Sequence, residues 1–101
     1  MRTIWKYELT GWADGPVELR VPEGARFLHF DRQGWQTTSS GSVAALCAWF
    51  EVESDPARLT QFFSVQVFGT GAPLSREARQ YLGTVQDGQF VWHLYKLEAA
   101  D

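Results

Sequence analysis

Hydrophobic and polar positions alternate along much of the chain. In TIWKYEL, residues 3 to 9, Thr3, Trp5, Tyr7 and Leu9 fall on one side and Ile4, Lys6 and Glu8 on the other, the period of a half-buried strand. The segment GWADGP breaks this run, with Gly11, Gly15 and Pro16 supplying turn chemistry. VELRV, residues 17 to 21, alternates again and points Val17, Leu19 and Val21 inward, and Pro22 and Gly24 end it. In ARFLHFDRQ the alternation places Phe27 and His29 on one face and Leu28 and Phe30 on the other, so both faces are expected to be covered.

GWQTTSSGS, residues 34 to 42, is rich in Ser, Thr and Gly and predicts a long surface loop. VAALCAWFEVE, residues 43 to 53, mixes helix-favouring Ala and Leu with a strand-like WFEVE; its strand-like neighbours favour a strand. Asp55-Pro56 marks a turn, and LTQFFSVQVF then predicts a strand with Phe63, Val65 and Val67 on one face and Ser64 and Gln66 on the other. Ser75 is placed to cap a short helix, REARQY. YLGTVQ and QFVWHLYKL flank Asp87-Gly88, the link of a tight hairpin. These elements predict one mainly β (α+β) domain over residues 1–101. Its architecture is a small antiparallel sheet, sandwich-like or barrel-like, of about six or seven strands with one short helix.

Composition adds to this picture. Five Trp, seven Phe and three Tyr within 101 residues supply enough apolar surface for a core without disulfides or a metal. Cys47 is the single cysteine, and among Ala44, Ala45, Leu46, Ala48 and Trp49 it reads as a buried, inert thiol, which fits a cytoplasmic location. No stretch approaches the roughly 20 apolar residues of a membrane span, and MRTIWKYEL lacks the apolar run of a signal peptide. Nine basic and twelve acidic residues are scattered rather than clustered, which disfavours general nucleic-acid binding.

Candidate chemistry centres on QVFGTGAPLSREAR, residues 66 to 79. A phosphate-gripping P-loop needs a lysine that is missing here, and a dinucleotide fingerprint needs a third glycine where Pro73, Leu74 and Ser75 stand. What survives is an anion held by the amides of Gly69, Thr70 and Gly71 with Arg76 or Arg79 nearby. The plainer reading, that these glycines turn a corner and the arginines are solvated, outweighs it. His29 and Asp31 share a strand face and could form an oriented base, but no Ser or Cys nucleophile is placed beside them. His93, between Trp92 and Leu94, reads as a packed or hydrogen-bonded strand histidine, and no metal site or cofactor is expected. FVWHLY is apolar on both faces, as in a central strand or a subunit interface, so a homo-oligomer is expected.

The ordered landmarks IWKYEL (4 to 9), VPEGA (21 to 25), FGTGAPL (68 to 74), YLGT (81 to 84) and FVWHL (90 to 94) resemble a family of short, uncharacterised proteins of tailed phages and prophages. GWQTTSSGSVAALCAWF departs from that pattern by its length. The resemblance implies a context and no catalytic residues. The expectation is a non-catalytic binding protein for a small anionic, nucleotide-like ligand used in host defence. Its bases would stack on an aromatic such as Trp92 and its phosphates would sit on Gly69 to Gly71 with Arg76 or Arg79. The alternative is a module that covers a host protein.

Overall fold

A computed structural model describes residues 1–55 and 57–99. Seven strands form two antiparallel sheets: β1 (Arg2–Glu8), β2 (Val17–Pro22), β3 (Arg26–Thr38), β4 (Gly41–Glu53), β5 (Thr60–Gly69), β6 (Ala78–Asp87) and β7 (Phe90–Leu97). One sheet has the order β1-β4-β3 and the other β2-β5-β7-β6; among the described residues no strand pairing joins them, so the barrel does not close. The expected mainly β sandwich is present. Pro56 of the expected turn lies outside the described residues, but beside it Asp55 accepts from the Arg58 amide through its carbonyl (2.9 Å) and from the Ala57 amide through Oδ1 (2.9 Å).

The inward positions of both sheets make one core. Val17, Leu19 and Val21 of β2 and Phe63, Val65 and Val67 of β5 pack as their alternation predicts. They face Ala44, Leu46, Ala48, Phe50 and Val52 of β4. Phe50 is the hub: its ring meets Tyr7, Phe27 and Phe63 edge-on at centroid distances of 5.4, 5.6 and 4.9 Å. Residues 43 to 53 are a strand because β4 is the middle of its sheet, and its small outward residues Ala45 and Cys47 are buried as well. Lys6 of β1 donates from Nζ to Gln33 Oε1 of β3, a bond that spans the outer face of the strand between them. Burial pushes the Cys47 thiol pKa up; Lys6 opposes the shift, and Glu8 and Asp31 add to it.

Burial likewise raises the pKa of Tyr7, whose hydroxyl is buried without a hydrogen-bond partner among the described residues. Satisfying or removing such a group recovers its desolvation cost. Tyr7→Phe is therefore expected to leave stability unchanged or raise it by up to about 1 kcal/mol, measured as a shift in the urea midpoint; a loss above that size would show that the hydroxyl finds a partner.

Three expectations are corrected. Residues 34 to 42 are not a long loop: Thr38 pairs with Gly41, so β3 and β4 run on to a two-residue turn at Ser39-Ser40. The polar residues there belong to a hairpin whose faces meet solvent, where Ser and Thr satisfy strand geometry as well as loop geometry. The helix expected at REARQY is also absent. Ser75 accepts from the Ala78 amide at 3.1 Å in a single turn, and β6 starts at Ala78 because a ladder along β7 satisfies more backbone groups than a short helix could. Among the described residues the only helical turn is 3-10, at Trp12–Asp14, entered through Gly11 at φ 77°. Trp12 there is buried and donates its indole N–H to the Ala44 carbonyl at 2.7 Å, closing one end of the sandwich.

The third correction concerns β3. A bulge between Phe27 and His29 leaves Leu28 unpaired, so Phe27 and Phe30 face the core while Leu28 and His29 face out. A bulge adds one residue to one strand and shifts the alternation beyond it to the other face. Two further bulges matter for function. One between Arg32 and Trp35 contains Gly34 at φ 81°, and one between Tyr81 and Gly83 leaves Leu82 over. The last hairpin is as tight as expected, although Asp87 pairs with Phe90 and the link is Gly88-Gln89, with Gly88 at φ 59°. A positive φ at the first link residue alone matches the hairpin-favouring II′ turn.

Candidate functional site

The glycine turn after β5 and the outer face of β7 meet in a hydrogen-bonded polar cluster. Gly69 accepts from the Ala72 amide through its carbonyl at 3.0 Å, and Gly71 has φ 91°, as the third residue of a type II turn requires. Gly69 is small for a different reason: a Cβ there would stand 3.2 Å from the Trp92 ring, its register partner on β7. The turn therefore accounts for Gly71, and the close approach of Trp92 for Gly69.

The turn also delivers Thr70 to His93. Thr70 Oγ1 lies 2.8 Å from His93 Nε2, and on the other side of the ring Nδ1 lies 3.0 Å from Thr84 Oγ1. Thr84 in turn shares a hydrogen bond with the Tyr81 hydroxyl. A neutral imidazole donates from one nitrogen and accepts at the other, so one threonine gives its proton to the ring while the other receives one. The Leu82 bulge makes this string possible. Residues three apart on a regular strand face opposite ways, yet with the extra residue Tyr81 and Thr84 share the outer face of β6.

Phe68, Thr70, Gly71, Leu74, His93 and Tyr95 line a hollow of about 250 Å³ beside this string, and its lining contains no acidic residue. Its floor is apolar: Phe68 is buried outside the main core, edge-on to Tyr95 at 5.9 Å. Tyr95 also meets Tyr81 at 5.7 Å.

Of the residues expected at a ligand site, Gly69, Thr70 and Gly71 lie at this hollow. Arg76 and Arg79 do not line it; the Arg79 Nε donates to the Arg76 carbonyl at 3.1 Å and so ties down the same loop. Trp92 faces the opposite side of the sheet, edge-on to Trp12 at 4.9 Å, because neighbours on a strand point to opposite faces and His93 takes the outer one. His29 and Asp31 do share a face, with Nε2 3.3 Å from Oδ2, but both are exposed and no described hydroxyl or thiol bonds the ring. Cys47, opposite Asp31 in register, is buried. Tyr81 and Thr84 were not singled out in the sequence; YLGT carries no period that reveals a bulge.

The family model for a domain of unknown function, DUF7352, matches residues 1–101. The chain belongs to the DUF7352 family. No curated protein and no solved structure matches it. The DUF7352 site is thus defined by its own geometry: a hydroxyl–imidazole–hydroxyl–phenol string over an apolar floor, at the edge of a glycine turn.

Proposed function

We propose that the chain is a non-catalytic binding protein that holds a small anionic ligand in the hollow beside His93. The observation that carries this reading is the Thr70–His93–Thr84–Tyr81 string on a hollow without acidic lining. The three hydroxyls and one ring N–H of the string supply four protons for its three hydrogen bonds, so one hydroxyl proton is free to turn toward an anion, and no carboxylate of the lining repels it. Arg76 and Arg79 are in no ion pair with a described carboxylate and add positive potential from the neighbouring loop. For a nucleotide-like ligand, Tyr95 takes the stacking role first expected of Trp92. The phage or prophage context rests on the sequence landmarks, and three of them, FGTGAPL, YLGT and FVWHL, supply this site.

Calorimetric titration with inorganic phosphate and with adenosine monophosphate tests the proposal. Saturable binding is expected, weakened about 10- to 100-fold in Thr70→Val and in His93→Ala, the size of one hydrogen bond to a charged group. Binding by neither probe, or equal binding by parent and variants, would overturn it. The second reading, a surface that covers a host protein or a second copy of this chain, is favoured by exposed Leu74 and Tyr81 beside the same hollow. A stoichiometric protein partner in a pull-down, or a dimer in sedimentation equilibrium lost in Tyr81→Asp, with no bound anion, would select it.

A further inference from the structure

A second hollow, of about 350 Å³, lies between the arms of the β3–β4 hairpin and the turn of the β6–β7 hairpin. Its aromatic lining comes from three elements, Trp12 of the 3-10 turn, Trp35 of β3, and Phe90 and Trp92 of β7, with Asp87 of β6 beside them. The volume falls in the range of small-molecule sites, which begins near about 300 Å³.

Trp12 and Trp92 are held in place. Their indole N–H groups are already spent, that of Trp12 on the Ala44 carbonyl and that of Trp92 on Asp87 Oδ2 at 3.3 Å. Phe90 stacks on Trp92 with the rings 5.6 Å apart and only 18° from parallel. Trp35 is fixed from one side by the Arg32 guanidinium, 4.1 Å from the ring centroid, and Arg32 is anchored by Asp87 at 3.1 Å. The Gly34 bulge produces this clamp: it places Arg32 and Trp35, three residues apart, on one face. Yet Trp35 and Phe90 remain 67% and 52% exposed.

Two large rings presented to water at the rim of a hollow, each preoriented by a partner, form a stacking platform. Arg32 and Asp87 neutralise one another, so a charged occupant gains nothing there. We propose that this hollow binds an uncharged planar heteroaromatic ring of nucleobase size, stacked against Trp35 and Phe90, with Gln89 and Ser42 available to its edge. The site lies on the opposite side of β7 from His93 and is independent of the anion reading.

The test uses the full chain, titrated with adenosine, guanosine and lumichrome and followed by tryptophan fluorescence and calorimetry. Saturable binding of at least one ring is expected, reduced at least tenfold in Trp35→Ala and in Phe90→Ala, the size of one lost stack, and retained in Trp35→Phe and Thr70→Val. Both alanine variants remove exposed rings, so unchanged melting curves are expected to certify their fold. No saturable binding of any of the three rings by the parent would overturn the proposal, as would parent-like affinity in both alanine variants. Loss of ring binding in Thr70→Val would move the ring to the other hollow and overturn it equally.

Discussion

Phe50→Ala is expected to lower the free energy of unfolding by about 3–5 kcal/mol, the cost of truncating a fully buried aromatic ring. Phe50 is 0% exposed in the middle strand of its sheet, and its ring is the common partner of Tyr7, Phe27 and Phe63. Two of these partners belong to its own sheet and one to the facing sheet, so removing the ring opens the interface between layers. Backbone pairing on both sides, to Trp5 of β1 and Phe27 of β3, limits how far β4 can move to fill the space. A domain of this size is stable by only about 5–15 kcal/mol, so the variant should approach the unfolding threshold. Urea denaturation monitored by tryptophan fluorescence measures the loss, and a value under about 1 kcal/mol would mean that Phe50 is not the hub.

Trp12→Ala is expected to cost about 3–5 kcal/mol as well, by a different route. Trp12 is 5% exposed, packs edge-on against Trp92 and donates to the carbonyl of Ala44 on β4, so it fastens the crossover between the sheets to both of them. Trp12→Phe keeps most of the apolar contact and loses the indole donor, leaving a buried carbonyl unpaired at about 1–3 kcal/mol. The two variants together separate packing from hydrogen bonding in the same denaturation experiment. Equal losses would assign the whole effect to the N–H group, and no loss in either would show that the 3-10 turn is dispensable for closing the sandwich.

Much of the fold was legible in the residues. Val17, Leu19 and Val21, and likewise Phe63, Val65 and Val67, alternate without interruption, and both triplets pack inward as expected. Gly88 gives away the last hairpin because only a residue without Cβ takes its positive φ cheaply. Legibility failed where two structures use the same residue types. Ser, Thr and Gly at 34 to 42 suit a loop and an exposed hairpin alike, and Ser75 followed by REAR suits a helix cap and a turn alike.

The candidate site was half legible. Gly69 and Gly71 announce a turn, and Thr70 comes with them, but nothing local says that Thr70 ends beside His93, 23 residues later. Trp92 was expected at the ligand and His93 was not; which of two adjacent strand residues faces the turn depends on the register of β7 against β5.

By itself the sequence determined that this chain builds antiparallel strands, which side of most of them is apolar, and where its sharpest turns fall, because alternation and glycine conformation are local properties. Only the tertiary structure decided where the strands slip by one residue. The bulges at Leu28, at Gln33-Gly34 and at Leu82 bring Phe27 to Phe30, Arg32 to Trp35 and Tyr81 to Thr84 on common faces. All three occur on β3 and β6, each an edge strand of its sheet, where an extra residue disturbs one ladder instead of two. A bulge is stabilised by what its displaced side chains meet across the sheet and across the sandwich, and those partners are distant in sequence.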